Sequence, residues 1–362
     1  NFSEEAVGKN MKRMIDNYNQ LIDSKNRESK PLEEYIRVSG DLVSWSGNLI
    51  KDFEKSKKAK YDPDEIYLGS YRPFQKMWMY RQSQMLGYKA LTDILFPRGK
   101  TNLSITLTGP SVQEFAALIT DLVPNYDLLA KGKNYPLSYF PEAQANQETL
   151  LDLGDLKEDN KQDGITNWAL EIFRTRFGVQ VSKEDIFYYV YGVLSSPQFI
   201  DKYKIELRKD YPRIPILNDF FDYVSFGKRL SELHLNFDKY KNDFVKVHYQ
   251  DMDGRDVDYR VKKMRFGQNS DKSRIIFNES ITISEIPLEL YDYSLGGKSP
   301  IDWVMDRYQI KEDAESGNRN DPNEFSGDSK YVFNMLLSVM TMTKEILELQ
   351  KTLPKLIIPE VE

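Results

Sequence analysis

The stretch Ser182-Lys183-Glu184-Asp185-Ile186-Phe187-Tyr188-Tyr189-Val190-Tyr191-Gly192-Val193-Leu194-Ser195-Ser196-Pro197 sets the fold class of this chain. Ser182 followed three residues later by Asp185 resembles a capping box with Asp in place of Glu, and it opens a helix containing residues 186–194. Pro197 restarts the chain, which predicts a further helix through about Arg208 that displays Lys202, Lys204, Arg208 and Lys209. Asn218 caps another in this reading, running to about Tyr240. The middle of the chain is therefore helical.

The flanks are patterned differently. Met11, Met14, Ile15, Tyr18, Leu21 and Ile22 recur at helical spacing and predict a surface helix over residues 4–23. Residues 48–60 carry Lys51, Lys55, Lys57, Lys58 and Lys60; a solvated lysine-rich loop and a phosphate-contacting one both fit. Asp62 and Pro63 predict a short helix after it. Over residues 72–81, Phe74, Trp78 and Tyr80 share one parity and Met77 and Met79 the other, which suits one largely buried strand bordered by Arg72, Lys76 and Arg81. Residues 103–108 alternate as a half-buried strand ending at the Gly109-Pro110 turn, and short β segments continue to about Phe140.

A polar, acidic stretch at 152–164 separates this part from the helical middle. Downstream, Asp253-Gly254 signals a turn, followed by strands at Val257, Tyr259 and Val261, at 275–277 and at 281–283. Arg255, Arg260, Lys262, Lys263, Arg265, Lys272 and Arg274 crowd this portion; a basic sheet edge meeting DNA and lysines guarding an edge strand fit equally. Ser299-Pro300 predicts a short helix, 312–327 a loop, and 331–353 a closing amphipathic helix. Interleaved helices and short strands without regular βαβ alternation make the fold class α+β. The organisation read from these shifts is 1–155, an N-terminal helix plus a β-rich part; 156–244, helical; and 245–362, β-rich with a C-terminal helix.

With 362 residues, 40% hydrophobic and 29% charged, and 23 tyrosines, the chain can bury a sizeable aromatic core. Its longest apolar runs are too short to cross a bilayer, so no membrane partner is expected. The absence of cysteine excludes disulfides and thiolate zinc sites and is compatible with a reducing compartment; a cytoplasmic location is expected. A chain that opens on Asn1 in a polar, helix-like segment reads as a piece of a longer polypeptide. The net charge of −6 argues against coating nucleic acid through bulk charge, but a specific reader needs only one basic face.

Catalytic signatures are missing. No phosphate-cradling glycine loop ends in Gly-Lys-Ser/Thr, and Asn320-Asp321-Pro322-Asn323 lacks the second proline and the stacking aromatic of an amino-methyltransferase motif, so it reads as a loop. His234 and His248 lie 14 residues apart without metal-ligand spacing and read as packing or surface residues. This fragment is not expected to be an enzyme or to hold a cofactor or metal.

Several phrases, in order along nearly the whole chain, resemble the C-terminal specificity domain of the single-polypeptide type ISP restriction-modification enzymes. They are residues 10–19; Trp45-Ser46 leading to Tyr71-Arg72-Pro73-Phe74; residues 187–197 continuing to Lys209-Asp210-Tyr211-Pro212-Arg213-Ile214-Pro215; and 303–310 followed by 320–323. The tract 291–300 also resembles the closing part of many adenine-N6 modification proteins, with Lys298 where Tyr more usually follows Gly-Gly. The resemblance implies a target-recognition unit for double-stranded DNA, in a polypeptide that also carries nuclease, helicase-like ATP-driven translocase and adenine-specific methyltransferase domains. It implies S-adenosylmethionine, ATP and Mg in those other domains. Shared phrases such as Arg72 and 187–197 then read as scaffold, since base-reading residues should differ between members. Local charge nominates Lys57, Lys58, Arg72, Lys76, Lys262, Lys263 and Arg265 as DNA-binding residues. The rival reading is a non-catalytic scaffold that docks the domains of a larger enzyme.

Overall fold

The computed structural model describes residues 1–25, 31–36, 45–87, 91–141, 161–250, 256–312, 314, 317 and 319–359. The first helix, Glu4–Lys25, follows its apolar stripe: Val7, Met11, Met14, Ile15, Tyr18 and Ile22 are buried, with acidic residues in the first turn and Lys25 in the last. They pack with Leu49, Phe53 and Tyr80 in the smaller of two apolar clusters. The lysine-rich segment is not all loop, because Leu49 and Phe53 stand four residues apart and make a helix at Gly47–Glu54, capped by the Ser46 hydroxyl. Its remainder is fixed from the first helix. The Tyr18 hydroxyl donates to the Lys57 carbonyl at 2.9 Å, and the Asn19 amide pairs with both backbone groups of Ala59 at 2.8 and 2.9 Å.

The single strand read over 72–81 is instead half of a hairpin. Ile66–Arg72 pairs antiparallel with Gln75–Tyr80 through a two-residue turn, and Val123–Pro124 adds in parallel on the other side. Pro73 opens the turn and Phe74 holds φ 57, a region normally left to Gly or Asn. Burial of the Phe74 ring against Phe237 offsets that strain. Arg81 turns inward rather than bordering the strand: it is almost fully buried, donates to the Phe96 carbonyl at 3.2 Å and pairs with Asp93. A second sheet sets Ser104–Leu107 between Ala117–Thr120 and Lys133–Pro136, and every residue of its first two strands is buried.

The helical middle is as the capping box requires. Lys183–Leu194 begins with Ser182 and Asp185 bonding reciprocally, and it packs along Phe220–Leu235. The proline-started helix is shorter than its charge pattern suggests: Pro197–Lys202 is followed by turns. Asn218 caps nothing, because its side-chain oxygen accepts from Arg176 at 2.5 Å; the helix starts at Phe220 and ends at Leu235. The last helix, Tyr331–Lys351, packs on the Phe220–Leu235 helix and on Pro300–Arg307, whose cap is Ser299.

A four-stranded sheet in the order Arg265–Phe266, Ile275–Ile276, Ile281–Ser284, Lys246–Tyr249 completes the α+β architecture. Val257, Tyr259 and Val261 belong to no strand, and 312–327 is not all loop: Lys311–Glu312 pairs with Arg319–Asn320 ahead of the short 3-10 turn Pro322–Glu324. The Asp253-Gly254 turn, Arg255 and the boundary residues 152–160 lie outside the described residues. The larger apolar cluster draws Phe74, Ile105 and Leu118 from the N-terminal part, Tyr191 and Leu230 from the middle, and Ile283 and Leu336 from the end. Among the described residues no helix is long and apolar enough to cross a membrane.

Candidate nucleic-acid interface

The segment after residue 256 makes no ladder until Arg265, yet it is anchored. Val261 and Met264 are buried while Lys262, Lys263 and Arg265 are exposed, so the apolar pair presses the backbone inward and leaves three cations facing water. The Lys262 carbonyl accepts the Ile310 N–H at 2.9 Å, which seats the Lys311–Glu312 and Arg319–Asn320 hairpin beside this segment. Lys262 lies 3.8 Å from the Glu279 carboxylate, with both side chains exposed, a pairing worth little in water. Lys263 and Arg265 make no ion pair among the described residues.

Sequence reasoning did not join the two basic groups that meet here. Arg260 and Arg319 both point at the Asp321 carboxylate, at 3.5 and 3.0 Å, although their own side chains are more than half exposed. Lys311, exposed on the same hairpin, adds a further cation. The clue available was Asn320-Asp321-Pro322-Asn323 directly after Arg319. It reads as a turn, and a turn does not disclose which distant strand or loop it touches.

Arg72 ends the strand Ile66–Arg72. Its guanidinium donates to the Tyr71 carbonyl at 2.7 Å and to Asn125 Oδ1 at 2.9 Å, and it lies 4.3 Å from the centre of the Tyr71 ring. Tyr71, Asn125 and Asn320 line one cavity of about 310 Å³ with Trp78, and the Asn1 side chain reaches from its rim to the Arg319 carbonyl at 3.4 Å. No hydrogen bond or ion pair among the described residues joins Arg72 to Arg319 or to the 260–265 cations.

The other three candidates stand apart. The Lys76 ammonium is 2.9 Å from Asp238, both side chains being less than a fifth exposed, and lies 4.9 Å from the Phe237 ring centre. Lys57 pairs with Asp52 at 3.3 Å and Lys58 with Asp23 at 2.8 Å on the N-terminal helical layer. No hydrogen bond or ion pair among the described residues joins them to the 260–265 cations.

Of the phrases read as scaffold, residues 187–197 are buried or half-buried throughout, while Arg72 is half-buried at a strand end. Tyr189, fully buried, donates its hydroxyl to the Pro215 carbonyl at 2.6 Å and accepts the Leu217 N–H at 2.9 Å, which fastens the Lys209-to-Pro215 tract to the helix. Gly296 and Gly297, at φ 60 and 82, turn the chain so that Leu295 and Lys298 pair and Trp303 Nε1 donates to the Leu295 carbonyl at 2.9 Å. Lys298 reaches Asp306 at 3.0 Å. His234 is a buried packing residue and His248 is exposed, its Nε2 2.6 Å from Ser284 Oγ.

No curated protein sequence matches significantly. Among solved structures, a nuclease-deletion mutant of the Type ISP restriction-modification enzyme LlaGI, in complex with a DNA substrate mimic, is similar at 34% identity and TM-score 0.84, over 99% of this chain and 27% of that one. The ATP-dependent Type ISP restriction-modification enzyme LlaBIII bound to DNA is similar at 34% identity and TM-score 0.85, over 99% of this chain and 22% of that one. A DrdV–DNA complex shares the fold, with TM-score 0.80 at 22% identity, over 98% of this chain and 34% of that one. The chain thus spans about a quarter of the length of the two type ISP enzymes. The model of the Type ISP C-terminal specificity domain matches residues 1–335, and this chain belongs to that family.

Proposed function

We propose that the chain reads a specific sequence in double-stranded DNA for a single-polypeptide restriction-modification enzyme. In this reading it positions the site for adenine-N6 methylation by a neighbouring methyltransferase domain and for ATP-dependent restriction by nuclease and helicase-like domains. S-adenosylmethionine, ATP and Mg would serve those domains, and the whole would work in the cytoplasm. The observation that carries the reading is the group of cations that folding gathers on a chain of net charge −6, with Arg260 and Arg319 meeting at Asp321 beside the exposed Lys262, Lys263 and Arg265.

Cations of this kind fix register on phosphates, and a few planar side chains among them read base edges in the major groove. Lys262, Lys263 and Arg265, exposed and weakly paired or unpaired, suit phosphate contact best of the nominated residues; Lys57, Lys58 and Lys76 have carboxylates of their own. The segments 1–155, 156–244 and 245–362 would act as one unit, which is supported by the apolar cluster that draws on all three. The test is to exchange this segment for that of a relative in the full polypeptide and sequence the methylated sites. A switch to the relative's sequence is expected; an active enzyme that keeps its own site would hand the role to the scaffold reading.

A further inference from the structure

The Asn320-Asp321-Pro322-Asn323 turn is a polar knot beneath two exposed cations. The Asp321 side chain is 1% exposed, and its Oδ1 accepts the Asn323 backbone N–H at 3.0 Å and the Asn323 amide at 2.6 Å. Its Oδ2 accepts from Arg319 Nη2 at 3.0 Å and lies 3.5 Å from Arg260 Nη2. Asn323 in turn accepts the Val261 N–H at 2.9 Å and donates to the Val261 carbonyl at 2.8 Å. Since Val261 is fully buried, the unladdered segment that bears Arg260 is pinned at the point where Asp321 catches the guanidinium. Arg260 and Arg319 remain 60% and 53% exposed, and of the five N–H donors on each, one is directed at the carboxylate.

A carboxylate at this place lowers the positive potential around these cations, so it works against phosphate affinity. What it supplies is orientation: two planar forks held from one buried point. Orientation matters little for a mobile cation on a phosphate and a great deal for a bidentate contact to a base edge. We propose that Asp321 is a positioning residue that holds Arg260 and Arg319 as paired donors to the acceptor edge of guanine, which rests on the DNA-reading function above.

The sign of the charge change makes the test sharp. With the full polypeptide, affinity would be measured for duplexes enriched by the wild-type protein from a randomised pool, and for the unselected pool. Asp321→Asn is expected to lower the ratio of the two affinities by at least about tenfold, within the range of one bidentate pair. Affinity for the unselected pool is expected to hold or rise, because a negative charge has gone. An unchanged ratio, or equal loss of both affinities, would overturn the proposal. If Asp321→Asn does not fold, the double variant Arg260→Lys with Arg319→Lys keeps both charges on exposed side chains and removes only the forks. The same loss of ratio is expected there, and a retained ratio overturns the proposal. Arg260→Gln with Arg319→Gln separates this inference from its premise. No change in either affinity means that this face does not meet DNA, which removes the inference and leaves the DNA-reading function to the segment exchange; weakened binding beside an indifferent Asp321→Asn removes the inference and keeps the face.

Discussion

The imidazole of His234 lies between two phenols, with Nδ1 on the Tyr191 hydroxyl and Nε2 2.8 Å from the Tyr293 hydroxyl. All three groups are buried, and burial alone pushes the His234 pKa down to about 3 while it raises both phenols. A neutral ring has one N–H to give and one lone pair to offer, so it can satisfy both tyrosines without a charge. The folded-state pKa is below the unfolded value of about 6.5, so the unfolded chain binds more protons between the two. This contribution is complete above about pH 6.5 and is lost as pH falls toward about 3, by roughly 1.4 kcal/mol per unit. His234→Gln should therefore flatten the acid limb of stability between about pH 6 and pH 4, whatever it costs at neutral pH. Urea unfolding at several pH values checks it, and an acid slope equal to that of the wild type would rule the histidine out as its source. The sequence allowed this residue to be a packing histidine but could not distinguish it from His248, because burial is decided by helices and loops far away along the chain.

Two helices of the middle approach each other closely enough to need glycine. A Cβ on Gly227 would stand 2.0 Å from the Tyr188 carbonyl oxygen, and one on Gly192 would stand 2.4 Å from that of Tyr223. Backbone atoms cannot step aside as side chains do, so Gly227→Ala must push the helices apart. A loss of about 1–3 kcal/mol or more is expected. It would appear as a lower urea midpoint with an unchanged slope, and a wild-type midpoint would show that the helices slide freely. Helices were the legible part of this fold because their signals are local: Ser182 with Asp185, Ser299 before Pro300, and the stripe from Met11 to Ile22 each act within a few residues. Strands were less so. Lys246–Tyr249 exposes its Lys, His and Tyr and turns only Val247 toward the core, while Val257, Tyr259 and Val261 alternate well yet find no partner strand. The Arg260, Arg319 and Asp321 cluster was illegible for the same reason, since it closes between segments about 60 residues apart.

At the scale of the molecule, an acidic surplus of six charges does not by itself set the potential at residues 260–265, where buried Val261 and Met264 leave Lys262, Lys263 and Arg265 exposed together. Over distances beyond about 10 Å at ordinary salt the surplus is screened, so a duplex at this segment senses mainly the nearby cations. This separates the candidates by what surrounds them rather than by their residue type. Lys263 and Arg265 are exposed without ion pairs among the described residues, so Lys263→Gln with Arg265→Gln should leave stability nearly unchanged. The same pair should weaken duplex binding and reduce the slope of log affinity against log salt by about 0.9 for each phosphate no longer neutralised. Lys76→Gln should do the reverse. It strips the cation from Asp238, an 11% exposed carboxylate left with only the Tyr331 hydroxyl at 3.3 Å, so a stability loss of about 1–3 kcal/mol is expected, with the salt slope kept. Titrations of a mixed-sequence duplex at several salt concentrations, beside unfolding curves of the same variants, decide between them. A salt slope that falls for Lys76→Gln and holds for the Lys263 and Arg265 pair would move the DNA face from the 260–265 segment to the hairpin at residues 66–80.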